Sequence, residues 1–568
     1  MYQLRLLPTV VLSLLLSLVV LHYFVPWNGF IYAGLGTALL LLCLLMLAKE
    51  MTITTHPSFR TWAHLILFLI ASISLIYWIF QLLAPARGTT NRQLSFGMDG
   101  YFEKIRSNEA ALTAFFSQMP KGGDLHSHFT GAIYTETLIE EAIRQHLWIN
   151  IVTFKLHSDS NSFKIRVKPE KEQKDQKKNK ANSFIPDPNV LRLDTLVNKK
   201  EYSWLRQRLM LEWSVKDYYD AFSPSDKHFF DAFGKFPSMP EAKGLWELKE
   251  RAKKEHVQYI ELMTWSIPGK QYATREYLPE DSLLMLAMRL QDMARLDTLF
   301  TKLYVALCDS TADSARKYCR QLRRFHAGID DSDFTMRYQA NIRREKRPVE
   351  VFRDLIAVFE AASQDSLVVG VNIVNREDGP LSMRDYALHM KMFQYMHTIY
   401  PAVRYSMHAG ELTMGTVKPE DLSWHISDAV YTAGARRIGH GVDIAYERDN
   451  LALLKHMRDK KIAVEINLVS NEFILKVKGQ RHPVTLYADH GVPIVISTDD
   501  AGILRTNHTE QFVLLALRYP SFRYSDIRQF IVNSIEYSFI KEPALKASLL
   551  KKLEQDLDDF EDRILAAQ

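Results

Sequence analysis

The chain has 568 residues, 47% of them hydrophobic, so it is long enough for more than one domain and can bury a large core. A formal net charge of +5 over that length is mild and does not argue for nucleic acid or any other acidic partner. Three cysteines (Cys43, Cys308 and Cys319) exclude a disulfide framework, and no CxxC pair exists for a structural zinc. Whether Cys308 and Cys319 pair is left open by their spacing.

Three apolar runs come first, at residues 6–25, 29–48 and 62–84, and none contains an Asp, Glu, Lys or Arg. Each approaches or exceeds the length needed to cross about 30 Å of hydrocarbon. The pattern predicts three transmembrane helices in an anchor over 1–85, in contact with membrane lipid; buried core helices are the alternative. A cleaved signal peptide is the rival for the first run, but no clear small-x-small site precedes Trp27. Arg5 precedes the first run, and Lys49 and Arg60 lie in the second loop, which favours those segments in the cytoplasm. Three spans then put the rest of the chain on the outer side, although Arg87 and Arg92 oppose that bias.

Residues 85–96 read as a polar linker, and 99–118 have helical spacing at Phe102, Ile105, Leu112 and Phe116. From Met119 onward, short β-type runs alternate with helical patterns. The runs are 123–126, 258–262, 303–307, 366–373, 404–408, 437–440, 462–466 and 493–497; helices are expected over 349–362, 383–399 and 450–460. Eight strand–helix units predict an α/β fold, a (β/α)8 TIM-type barrel over 119–568, with a doubly wound sheet as the alternative. No GxGxxG follows any of these runs.

A long insertion, at about 150–240, separates the first two strands. It holds a lysine-rich stretch over 164–180, read as a solvated segment or as a basic contact to anionic lipid. Its aromatic stretch, 213–236, is expected to be helical and either to cap the barrel mouth or to pack as core.

The chemistry gathers at the strand ends. The first ends in His126-Ser127-His128, the fifth in His408-Ala409-Gly410-Glu411, the sixth in Gly439-His440-Gly441 and the eighth in Ser497-Thr498-Asp499-Asp500. Residues i and i+2 of a strand share a face, so HxH presents two imidazoles to one point. A lone histidine is more often structural. Four histidines and three carboxylates at the C-terminal ends of barrel strands are another matter, because a parallel barrel keeps its active site there. Three imidazoles and a carboxylate suit a divalent ion of the zinc kind.

With MPKGGDLHSH, MHAGEL, RIGHGVD, EINLVSNEFIL and STDD in this order, the chain from Met119 resembles the adenosine deaminases of the metal-dependent hydrolase superfamily. The MPKG lead-in and the insertion look most like its secreted, growth-factor-related branch. The resemblance implies one Zn2+ on His126, His128, His408 and Asp499. It implies that His440 orients and deprotonates the attacking water, that Glu411 protonates N1 of the purine, and that Asp500 bonds N7. The implied activity is hydrolytic deamination of adenosine, and of deoxyadenosine, to inosine and ammonia in purine nucleoside salvage.

Two departures touch the substrate. Asn375 stands where the family has the glycine whose amide meets N3, and Thr130 stands where an acid meets the ribose. Glu261 is a further candidate for substrate contact, with a satisfied structural carboxylate as its alternative. Another 6-aminopurine, adenine or an adenine nucleotide, is therefore a second reading. A membrane-anchored nucleoside-binding or signalling protein without turnover is a third. A binuclear amidohydrolase ranks low, since 366–375 offers no bridging lysine. The oligomeric state is not legible.

Overall fold

A computed structural model describes residues 89–158, 164–166, 184–220, 223–267 and 278–568. The chain divides into two units, Met1–Gln93 and Leu94–Gln568, and the fold described is that of the second. Among the described residues no helix is long and apolar enough to cross a membrane. The three apolar runs at 6–25, 29–48 and 62–84 lie outside the described residues.

Eight strands form one parallel sheet whose spatial order is the chain order. They are β1 Gly123–His128, β2 Tyr259–Met263, β3 Thr335–Arg343, β4 Val368–Val374, β5 Arg404–Ala409, β6 Arg437–His440, β7 Ala463–Ile466 and β8 Ile494–Ile496. The sheet closes on itself through a parallel bridge between Ser127 and Asp499. Asp499 N donates to His126 O at 2.8 Å and His128 N to Asp499 O at 3.2 Å. Asp124 fastens the same seam: its carboxylate accepts from Thr498 Oγ1 at 2.5 Å and from Thr498 N at 3.4 Å. The expected (β/α)8 barrel is thus the observed architecture.

Seven expected strands lie where their β-type runs fall. The third does not. Residues 303–307 belong to the 34-residue helix Met293–His326. Leu296, Leu299, Phe300, Leu303, Leu307, Tyr318 and Leu322 are buried along one face of it, while Val305 is 70% exposed. That spacing has the period of a helix, and a five-residue window is too short to show it. The true third strand, TMRYQANIR, escaped because its polar residues point into the barrel. Gln339 and Asn341 are buried there, while Met336, Tyr338, Ala340 and Ile342 pack outward.

Helices Pro348–Gln364, Pro380–Ile399 and Asn450–Lys460 enclose or equal the expected ones. The linker expected over 85–96 is helical from Thr89, in helix Thr89–Ile105. A second helix, Glu109–Gln118, restarts where the Asn108 side chain accepts from Ala111 N at 3.0 Å. Cys308 and Cys319 lie on the long helix and are both free.

The insertion after β1 carries three antiparallel strands, Leu156–His157, Trp148–Asn150 and Val190–Arg192, and a pair formed by Lys164–Arg166 and Phe184–Pro186. Most of the lysine-rich stretch lies outside the described residues. In the aromatic stretch, helix Ser225–Ala232 packs Phe229 and Ala232 against Val442, Leu475 and Ile503. Those residues follow β6, β7 and β8, so this segment covers the mouth of the barrel.

Candidate active site

Alternation along β1 brings His126 and His128 to the barrel axis, as the HxH pattern requires. His126 Nδ1 meets Glu465 Oε2 at 2.7 Å. The Arg437 guanidinium and His126 outweigh the effect of burial and hold the Glu465 carboxyl down at about 2, so it accepts. A proton therefore sits on His126 Nδ1, which turns Nε2, a buried atom without a hydrogen-bond partner among the described residues, toward the centre. His408 is turned the same way: its Nδ1 lies 3.0 Å from Asn372 Oδ1, and Asn372 Nδ2 donates to Gln339 Oε1.

The freed nitrogens converge. His128 Nε2 and His408 Nε2 are 3.2 Å apart. Asp499 Oδ1 is 3.3 Å from His128 Nε2 and 3.7 Å from His126 Nε2. Two ligands of a tetrahedral zinc, each about 2.0–2.1 Å from the ion, stand about 3.3 Å apart. The donor set and its spacing therefore fit the ion. Burial drives His408 well below its usual range and His128 to about 4, which leaves neutral imidazoles as a metal requires. Burial also opposes charge on His126, but Glu465 and Asp499 outweigh it and raise that ring.

Beneath this layer runs a hydrogen-bonded circuit that joins two of the histidines. From His408 it passes through Asn372 and Gln339, whose Nε2 donates to Glu261 Oε2 at 3.2 Å. Arg437 then bridges Glu261 Oε2 and Glu465 Oε1, each at 2.5 Å, and Glu465 returns to His126. Arg437, Glu261 and Glu465 are all fully buried. Glu261 is thus a structural carboxylate beneath the metal set and does not reach the mouth; it also accepts from Tyr259 Oη and from Phe539 N. No motif marks Gln339, whose only signal was polarity at an inward strand position; Arg437 opens RIGHGVD, a motif in which only the histidine was given a role.

The remaining candidates face the same centre. His440 Nε2 is 3.9 Å from Asp499 Oδ2, and Glu411 Oε1 is 3.7 Å from His440 Nδ1. Burial pulls His440 down to about 3. Burial, with Asp499 and Glu377 nearby, pushes Glu411 well above the carboxylate range, the direction that favours the neutral acid. Glu377, not singled out by sequence, fixes this loop by accepting from Gly410 N at 3.1 Å and Glu411 N at 2.8 Å. Asp500 is buried and pushed well up by burial and by Asp499. It lies so close over Gly131 that a Cβ there would sit 1.7 Å from its Oδ1.

His440, Asp499 and Asn375 have φ of 68°, 59° and 78°, a left-handed conformation that non-glycine residues rarely adopt and that gathers at working sites. Asn375 thus holds a backbone conformation that favours glycine. Its side chain turns away to donate to Glu345 Oε2 at 3.0 Å. Thr130 is exposed at the rim.

Residues 319–556 match the adenosine deaminase family. That segment carries β3 to β8 and with them His408, Glu411, His440, Asp499 and Asp500. An adenosine deaminase of Clostridium kluyveri is 32% identical over 174 residues, 30% of this chain and 44% of that relative, so the alignment spans less than half of the relative's length. An adenosine deaminase of Phlebotomus duboscqi is 22% identical over 454 residues, 76% of this chain and 75% of the relative. Among solved structures, Arabidopsis ADAL complexed with IMP matches with a TM-score of 0.48 at 16% identity, over 78% of this chain and 99% of that one. The family match and the curated relatives support a metal-dependent deaminase.

Proposed function

We propose that this protein is a zinc-dependent aminohydrolase that converts adenosine, and deoxyadenosine, to inosine or deoxyinosine and ammonia in purine nucleoside salvage. The observation that carries the proposal is the convergence of His126 and His128 with Asp499, and of His408 with His126 and His128, beside Glu411, whose carboxyl burial pushes well up. A zinc ion on those four residues supplies Lewis acidity and brings the pKa of a water toward 7. The chain's own groups do the rest. Glu411 gives its proton to N1, which relieves the charge that builds in the ring as water adds to C6. Asp500, its carboxyl pushed well up by burial and by Asp499, is placed to donate to N7, an acceptor. Asp499 takes a proton from the water as it adds and passes it to the departing amine, His440 holds the water in place, and ammonia leaves as the remaining hydroxyl proton returns to Glu411.

Thr130 and Asn375 favour a second reading, another 6-aminopurine such as adenine or an adenine nucleotide, because both stand where the sugar side of the substrate would meet the protein. The three apolar runs support a membrane anchor, with the barrel on the outer face of the cytoplasmic membrane. The MPKG lead-in and the insertion support kinship with the growth-factor-related branch.

A deamination panel on the zinc-loaded full-length protein tests the proposal. Loss of absorbance at 265 nm with adenosine and deoxyadenosine is expected, with a fall of at least about 100-fold in Glu411→Gln. Turnover of adenine or AMP with none of adenosine would shift the substrate to the second reading. Activity that survives Glu411→Gln would remove the assigned acid. A reporter joined after Ala84 that works only in the cytoplasm would reverse the topology.

A further inference from the structure

A chain of fixed hydrogen bonds reaches His440 from behind. It begins at Val484 N, a backbone N–H that can only donate, 3.2 Å from His482 Nδ1. His482 is fully buried, and burial holds it down at about 3, so the ring is neutral. With Nδ1 accepting, its one proton is on Nε2, which lies 3.0 Å from Asn471 Oδ1. That contact sets the Asn471 amide: oxygen toward His482, nitrogen toward His440. Asn471 Nδ2 then donates to His440 Nδ1 at 2.9 Å. Asn467 Nδ2 faces the same nitrogen at 3.4 Å.

We infer that Asn471 and His482 are positioning residues that fix the tautomer of His440, with the proton on Nε2, toward Asp499 and the reacting centre. A neutral His440 locked this way offers the centre a hydrogen-bond donor and has no lone pair at Nε2 with which to remove a proton. Of the two roles expected for His440, orienting the water survives and deprotonating it does not. The inference rests on the deaminase reading only for its kinetic consequence. The tautomer belongs to the fold.

The test uses zinc-loaded full-length protein labelled with 15N-histidine. Two-bond 1H–15N correlations distinguish the tautomers of a ring, and His440 is assigned by its loss in His440→Gln. The wild type should show His440 protonated at Nε2 without substrate. Asn471→Asp, whose carboxylate accepts only, should move the proton to Nδ1, with kcat down about 100-fold while KM and zinc content hold. His482→Leu should lower kcat in the same way, and His482→Gln, which can still donate to Asn471 Oδ1, should recover most of it. A wild-type His440 protonated at Nδ1 would overturn the inference, as would an unchanged His440 spectrum and kcat in a folded His482→Leu. If that variant does not fold, the wild-type spectrum decides. An inactive wild type with the proton on Nε2 would sink the deaminase reading and uphold the relay; an active one with the proton on Nδ1 would do the reverse.

Discussion

Lys121, five residues before the first metal-set histidine, is fully buried. Burial lowers its amine to about 7. A neutral amine has two N–H groups, and Nζ donates to two carbonyls, Met119 O at 3.0 Å and Glu255 O at 2.8 Å. The unfolded chain protonates this lysine below about 10.4. Between about pH 7 and pH 10 the unfolded state therefore holds one more proton, and stability rises with pH by about 1 kcal/mol per unit. Urea midpoints at pH 7.5 and 9 should show that slope in the wild type and lose it in Lys121→Met. A second residue-scale expectation concerns Gly131→Ala, whose Cβ must displace the Asp500 carboxylate. Activity should fall at least about tenfold while zinc content holds, checked by metal analysis beside kinetics. The HxH pair, Glu411 and the Asp499-Asp500 pair stood out in the sequence because they follow β-type runs, and the structure keeps them at or just beyond strand ends. Glu377 did not stand out, since nothing in the sequence says which ordinary glutamate will be buried; Lys121 lay in the MPKG lead-in, but its burial had no signal there.

Strand β3 shows why a whole element can hide. Sequence patterns find strands by apolar runs, but this one places Gln339 and Asn341 inside the barrel and was outcompeted by an apolar window in a helix. The same inward polarity builds the circuit centred on Arg437 of β6. Replacing that arginine by methionine leaves Glu261 and Glu465 as buried carboxylates without their cation. Such a loss costs about 3–5 kcal/mol. It also frees Glu465 from its anchor, and the loss of an outer partner of a metal-bound histidine typically lowers metal affinity 10–100-fold. Arg437→Met should show both effects, by chemical unfolding and by competition with a zinc-binding dye. Glu261, read from sequence as a possible substrate contact, earns its burial in this circuit instead.

Across the whole molecule, the seam between β1 and β8 is where closure and chemistry coincide. Ser127 bridges Asp499, a residue of the proposed metal set, and the two residues flanking Ser127, His126 and His128, belong to that set as well. Thr498→Val removes the hydroxyl that Asp124 holds and should destabilise the protein by about 1–3 kcal/mol. It should also weaken zinc binding, because Asp499 is the next residue. Chelation should lower the unfolding midpoint in turn, since an ion that binds only the folded chain contributes about 4 kcal/mol at a thousand times its Kd. The barrel was legible as alternating elements, whereas its closure was not, because a single bridge leaves no periodic trace. This arrangement also sets an order of events during biosynthesis. On the proposed reading, His126, His128 and His408 leave the ribosome before Asp499, and the pocket does not exist until the last strand has been made and docked beside the first. The nascent chain then has nothing complete with which to capture a metal, and loading awaits the finished barrel.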